Sequence, residues 1–171
     1  PPFSSAPISC LAGSTHRVET GAEFCYSCSN CPLGEIMTAD CTITSDRQCS
    51  PCVAPAYSDD GLACKECDRE GQYSDVNGAS SCKLAPPGSK PTTDRTGVVG
   101  CPAGEFSIGG ASGCSLCPAG KYSDGGAVGC TACNLGSIST QGSSSCTPCS
   151  PPTYSDDGQT CKQCDGDGQY S

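Results

Sequence analysis

The sequence predicts a small disulfide-rich fold, all-β or irregular, drawn out as an elongated rod of stacked cysteine-rich modules with short hairpins and almost no helix. Three observations predict it. Nineteen of the 171 residues are cysteine. From Cys101 these fall at 101, 114, 117, 130, 133, 146, 149, 161 and 164, so a loop closes on a Cys, two residues pass, and the next Cys opens another loop about every sixteen residues. Finally, Leu, Ile, Val and Phe together number only 20, there is no Trp, and Gly and Pro reach 36.

The last two observations belong together. A chain so poor in large apolar groups is ordinarily disordered, because too little burial opposes the backbone entropy lost on folding. A disulfide that closes a loop of about 15 residues removes roughly 3 kcal/mol of unfolded-state entropy in the chain-entropy model. The cross-links therefore stand in for a core. Such a set persists only in an oxidising space, which gives an extracellular or cell-surface location through the secretory pathway. No signal-peptide or transmembrane run is visible within the segment.

The CxxC pairs, for example 114/117 and 130/133, also have a spacing that zinc sites use. Against zinc stand the single His16, a net charge of -9 and an unbroken beat with no boundary between one four-Cys site and the next. No metal and no cofactor is expected. The charge also argues against nucleic acid and anionic membrane surfaces as partners, and no direct membrane insertion is expected.

Residues 49–74, CSPCVAPAYSDDGLACKECDREGQYS, return at 146–171 as CTPCSPPTYSDDGQTCKQCDGDGQYS, with 17 of 26 positions identical at an offset of 97. In the first copy Cys67 is followed by Cys82; the matching position in the second would be 179. The odd Cys164 is thus expected to pair outside the segment, which stops in mid-repeat.

The first cysteines are spaced Cys10-x14-Cys25-x2-Cys28-x2-Cys31-x9-Cys41-x7-Cys49. Here the chain resembles a tumour necrosis factor receptor cysteine-rich domain. That resemblance implies pairing of Cys10 with Cys25, Cys28 with Cys41 and Cys31 with Cys49. Downstream, Cys101-Pro-Ala-Gly104-Glu-Phe106-Ser107, Cys117-Pro-Ala-Gly120-Lys-Tyr122-Ser123 and Cys133-Asn-Leu-Gly136-Ser-Ile138-Ser139 obey one rule: Gly three residues after the Cys, a large apolar residue at five and Ser at six. This resembles the ephrin-receptor-like cysteine-rich repeat over residues 52–171, most closely at 101–164. The resemblance implies the pairs Cys52–Cys64, Cys67–Cys82, Cys101–Cys114, Cys117–Cys130, Cys133–Cys146 and Cys149–Cys161. Spacing alone leaves interlocked alternatives open, such as Cys114 with Cys130.

Within a loop, the Gly permits a positive φ and the apolar residue is the only large side chain available to cover the disulfide. Ser-Asp-Asp-Gly at 58–61 and 155–158 and Ser-Asp-Gly-Gly at 123–126 suit hairpin tips. No window shows useful helical periodicity.

The domain organisation that follows is the end of a preceding spacer at 1–9, the tumour necrosis factor receptor-like module at 10–49, two cysteine-loop modules at 50–84, a Pro/Gly/Thr spacer at 85–100, and the cysteine-loop array at 101–171. The spacer is expected as a hinge because no Cys restrains it; an ordered loop packed on its neighbours is the other reading.

No catalytic constellation is present: His16 is the only imidazole, and a repeat array offers no deep pocket. Asp59-Asp60, Asp156-Asp157 and Asp165-Gly-Asp167-Gly lack a full calcium-loop pattern and read as turns. No Asn-X-Ser/Thr sequon exists, whereas the Ser, Thr and Pro of 88–96 and 143–153 suit O-linked glycans. The expected function is structural or adhesive: a segment of a long stalk or surface filament, for example a flagellar hair, with lateral or end-to-end self-association as its partner contact. The alternative is the ectodomain of a cell-surface receptor binding a protein ligand.

Overall fold

The computed structural model describes residues 14–19, 22–42 and 45–164, and the side chains from Cys25 onward within that range. Residues 1–9, Cys10, Asp165 and Asp167 lie outside the described residues, as does the side chain of His16. The described secondary structure is a series of short strands, each hydrogen-bonded antiparallel to its neighbour in sequence, and no helix occurs among the described residues. A small disulfide-rich, all-β fold built from repeated cysteine-rich modules is what the chain forms.

The residues divide into two compact units. The first contains Pro1–Cys67 and Ser74–Cys82, the second Asp68–Tyr73 and Lys83–Ser171. In the first unit β1 (Ser14–Glu19) pairs with β2 (Ala22–Ser27), β3 (Glu35–Ala39) with β4 (Gln48–Pro51), and β5 (Ala56–Tyr57) with β6 (Lys65–Glu66). In the second unit the hairpins are β7 (Gln72–Tyr73) with β8 (Lys83–Leu84), β9 (Ser89–Pro91) with β10 (Val98–Gly100), β11 (Glu105–Phe106) with β12 (Ser115–Leu116), and β13 (Lys121–Tyr122) with β14 (Thr131–Ala132). β15 (Ser137–Ile138) with β16 (Thr147–Pro148) and β17 (Thr153–Tyr154) with β18 (Lys162–Gln163) complete it.

Disulfides join Cys28 to Cys41, Cys31 to Cys49, Cys52 to Cys64 and Cys67 to Cys82 in the first unit. In the second they join Cys101 to Cys114, Cys117 to Cys130, Cys133 to Cys146 and Cys149 to Cys161. Cys25 is also disulfide-bonded. Cys164 is a free thiol among the described residues. The buried positions are the opening cysteines and small residues rather than large side chains: Cys52, Cys67, Cys101 and Cys117 are at most 2 % exposed.

What stacks the loops is a backbone joint centred on the residue three after the opening position, a Gly at 34, 88, 104, 120 and 136. Gly104 N–H donates to the Ser123 carbonyl at 2.8 Å, and the Gly104 carbonyl accepts from Cys117 N–H at 2.9 Å. Gly120 repeats both bonds with Ser139 at 3.0 Å and Cys133 at 2.9 Å, and Gly136 repeats them with Ser155 and Cys149, each at 2.8 Å. A second rung joins the same neighbouring loops: Gly126 N–H donates to the Cys101 carbonyl at 2.7 Å and Gly142 N–H to that of Cys117 at 2.8 Å. Gly104 sits at φ +85°, and a Cβ there would lie 2.1 Å from the carbonyl oxygen of Gly142. Both the left-handed backbone and the close approach demand glycine. The first unit uses the same joint, since Gly34 N–H donates to the Ser58 carbonyl at 2.7 Å and its carbonyl accepts from Cys52 N–H at 2.9 Å.

The Ser at six completes the joint from the other side. Ser58, Ser107, Ser123, Ser139 and Ser155 are buried although polar. Their main-chain groups are consumed by neighbouring loops, and their hydroxyls find partners within the turn or on the preceding loop, as buried polar groups must. Ser123 Oγ donates to the Glu105 carbonyl and Ser139 Oγ to that of Lys121, each at 2.9 Å.

Along 85–100, for which the sequence leaves both a hinge and an ordered loop open, the backbone hydrogen-bonds to the following loop without a cross-link. Gly88 N–H donates to the Ser107 carbonyl at 2.7 Å, and the Gly88 carbonyl accepts from Cys101 N–H at 2.8 Å. The Ala85 carbonyl accepts from Gly110 N–H at 2.8 Å. The pairing of Ser89 with Gly100 and Lys90 with Val99 is the register of Glu105 with Leu116 and Phe106 with Ser115, sixteen residues on. By that alignment Ala85, 2 % exposed, occupies the opening-Cys position and Val98 the closing one. The backbone bonds alone suffice to order the loop, which is why the absence of cysteine does not make a hinge.

Candidate ligand-contact site

Loop 85–100 breaks the array's rule at several positions together. Where Phe106, Tyr122 and Ile138 stand five residues after the opening cysteine, this loop has Lys90, and where Ser107 stands at six it has Pro91. With no disulfide beneath it, the fifth position has no cross-link to cover, so an apolar ring is no longer required there. The loop replaces it with a charge.

Its tip is built by Thr92 to Gly97. Thr92 N–H donates to the Gly97 carbonyl at 3.0 Å, and Arg95 N–H to that of Thr92 at 2.9 Å. Thr92 Oγ1 donates to the Asp94 carboxylate at 2.6 Å and accepts from Gly97 N–H at 3.1 Å. The hydroxyl of Thr92 and the groups of Thr96 hold the Asp94 carboxyl below the usual carboxylate range. Arg95 is the only non-glycine residue with left-handed φ among those described, at +56°, a conformation that costs L-residues about 1 to 2 kcal/mol. Its guanidinium is held from below, Nη1 donating to the main-chain carbonyls of Arg69 at 2.7 Å and Gln72 at 3.2 Å.

Between these pieces lies a polar hollow of about 240 Å³ lined by Lys90, Pro91, Thr92, Thr93, Arg95 and Ser112. Lys90 makes no ion pair among the described residues, in contrast to the lysines of the repeated turns. Lys65 Nζ contacts Asp59 and lies 2.9 Å from Asp60, and Lys162 contacts Asp156 and lies 3.9 Å from Asp157. The Lys65 ammonium and the backbone N–H of Leu62 lower Asp60 to about 2, and the backbone N–H groups of Gln159 and Thr160 lower Asp157 to about 2. Both Asp pairs are spent on their own turns: Asp60 Oδ1 accepts from Leu62 N–H at 2.8 Å, and Asp157 Oδ1 from Gln159 N–H at 2.8 Å.

Charge separates this loop from the rest. Residues 83–100 carry Lys83, Lys90 and Arg95 against Asp94 alone, while the remaining chain holds six Lys and Arg against seventeen Asp and Glu. Beside the cations stand apolar groups, Val98 at 38 % and Val99 at 47 % exposure. Val99 pairs directly with Lys90 across the hairpin, so their side chains share one face.

A larger hollow of about 710 Å³ is lined by Leu135, Gly136, Pro152, Tyr154 and Cys164 among others. Gly136 there has no neighbour within 4 Å of where its Cβ would stand, whereas Gly104 meets Gly142. No cluster of three or more His, Cys, Asp or Glu able to hold a metal ion occurs among the described residues. None of their helices is long and apolar enough to cross a membrane.

Sequence reasoning marked this loop as a spacer with Ser, Thr and Pro suited to O-linked glycans and did not reach it as a contact site. The available signal was Ala85-Pro-Pro-Gly88 standing sixteen residues before Cys101-Pro-Ala-Gly104. Among known families, residues 10–49 match the TNFR/NGFR cysteine-rich region. No curated protein matches the chain.

Proposed function

We propose that the chain is part of a receptor-type, non-enzymatic ectodomain that binds a protein ligand outside the cell. The observation that carries this reading is the TNFR/NGFR cysteine-rich region at 10–49, because modules of that kind are extracellular ligand-binding units. The disulfide set supports the same location, since such cross-links persist only in an oxidising compartment. Along residues 52–171 the ephrin-receptor-like reading rests on the shared Gly, apolar and Ser positions after Cys101, Cys117 and Cys133, which the loops at 52–82 follow with departures.

A stalk or filament is the second reading, favoured by the repeated Gly joint, which would hold successive loops in one register along any length of array. The two readings separate in one experiment. The disulfide-bonded chain, multimerised to gain avidity, is applied to a collection of expressed secreted and cell-surface proteins, and its self-association is measured by sedimentation. Saturable binding to a distinct protein, with the chain itself monomeric, is the expected result. Concentration-dependent assembly of the chain with no protein ligand would replace the receptor by the filament.

A further inference from the structure

We propose that the disulfide-free loop 85–100 is the ligand-contact module of the array, and that its hollow receives a carboxylate of an acidic protein surface between Lys90 and Arg95. The inference rests on the receptor reading and names where and how the ligand is held.

Several independent features converge on this loop. It departs from the array's rule at the opening Cys, the apolar fifth position, the Ser at six and the closing Cys, and Pro91 has no N–H for the bond that Ser107 makes to the Ala127 carbonyl, yet it keeps the Gly88 bonds to Ser107 and Cys101 and the rung from Gly110 to Ala85. The changes place Lys90 at a hollow that also has Arg95 on its wall. Arg95 is held there at a left-handed φ by two carbonyls, and a strained backbone over-determined by its surroundings is a recurring property of binding sites. The hydroxyls of Thr92, Thr93 and Ser112 add hydrogen-bonding groups to the wall, although that of Thr92 is engaged with Asp94.

Charge fixes the kind of partner. The acidic remainder of the chain repels an anionic surface, and residues 83–100 alone carry a net positive charge, so an acidic ligand is steered to this loop and away from its neighbours. Asp94 is the opposing charge, and its carboxylate is spent on Thr92 and Thr96 within the turn. The exposed Val99 directly across from Lys90 selects a protein over a sulfated polysaccharide, because an interface core pairs charge with apolar contact. Arginine fits the role of anchor, since it is enriched among residues that dominate binding energy.

The test uses the disulfide-bonded 171-residue chain and two probes, a random copolymer of glutamate and tyrosine and, separately, heparin. Binding is followed by interferometry at about 50 mM and about 300 mM salt. The copolymer is expected to bind, to weaken at the higher salt, and to lose about tenfold in affinity in Lys90→Glu. Lys90→Tyr, which restores the array's own residue type and so keeps the fold, is expected to weaken binding as well. Lys121→Glu, which changes a cation of a regular loop by the same charge, is expected to change affinity less than about twofold. Equal losses in Lys90→Glu and Lys121→Glu, or no binding of the copolymer, would overturn the proposal. So would heparin binding through Lys90 with the copolymer inert, since that assigns the loop to sulfated glycans. A protein ligand that binds Lys90→Glu as well as the native chain would leave the receptor standing and remove this site. Copolymer binding through Lys90, with no protein ligand found, would leave the site standing and remove the receptor.

Discussion

Loops 85–100 and 101–116 are neighbours with the same register, the same Gly joint and opposite chemistry. One is closed by Cys101–Cys114 with half-buried Phe106 on its strand; the other has Ala85, Val98 and Lys90 at those places. That both are ordered separates two jobs that the cysteine pattern merges. The disulfide staples the interior of a loop, whereas the main-chain bonds of the Gly stack one loop on the next. A loop can therefore surrender its staple and remain in the array, and the position that covered the staple becomes available for binding.

The strongest way to break this comparison is to attack the joint in both loops. Gly88 and Gly104 stand at φ +79° and +85°, and a Cβ on each would lie 2.2 and 2.1 Å from a main-chain oxygen. Gly88→Ala and Gly104→Ala are each expected to destabilise the fold by about 2 to 5 kcal/mol, the sum of a left-handed alanine and a displaced backbone. Gly126→Ala shares the sign of φ, at +74°, but meets nothing within 4 Å, so only the strain of about 1 to 2 kcal/mol is expected. Denaturant unfolding with disulfides intact measures all three. A cost for Gly88→Ala no larger than that of Gly126→Ala would mean that loop 85–100 is not stacked as its neighbour is.

The comparison is sharpened by restoring the staple. In Ala85→Cys/Val98→Cys the two cysteines are separated by thirteen residues, as Cys101 and Cys114 are, in hairpins of equal register. A disulfide is expected to form, and for a loop near 15 residues the stabilisation is about 3 kcal/mol. Nonreducing peptide mapping reports the bond, and unfolding reports the gain. Free thiols in the folded double variant would show that Ala85 and Val98 are not the equivalents of the neighbouring pair.

The cysteine beat, the Gly at three and the turn-forming Ser-Asp-Asp-Gly segments made the fold class and the hairpin modules legible in the sequence, because each fixes local backbone. Two things were not legible. A beat counted in cysteines cannot register a loop that has none, so 85–100 read as a spacer although Gly88 keeps time with Gly104. Nor could a local pattern show what Gly34 or Ser58 contact, because those bonds join residues 18 to 24 positions apart. The candidate site was invisible for a related reason: Lys90 and Arg95 look scattered until the hairpin register aligns Lys90 with the aromatic position of its neighbours.

The smallest effect distinguishes how the two kinds of loop hold their carboxylates. Asp60 is held by Lys65 first and by backbone N–H groups second, to about 2, while Asp94 is held by the Thr92 hydroxyl and Thr96. A carboxyl lowered on folding contributes stability that is present above its unfolded value of about 3.9 and is lost as the pH falls through the folded one. For Asp60 that window runs from about pH 4 down to about pH 2. Lys65 is raised by the same pair, so its contribution persists through neutral pH and is lost only as the pH rises beyond the ordinary lysine range. Both groups are solvent-exposed, so the change appears in the local titration and not in global stability. In Lys65→Met, carboxyl NMR is expected to show Asp60 moving part of the way back toward about 3.9, since its bonds from Leu62 and Ala63 survive. Asp94 is expected to stay where it is. A parallel shift of Asp94 would mean that the lysine acts through a long-range field, and the separation of lysine-clamped turns from the hydroxyl-held turn of loop 85–100 would then fail.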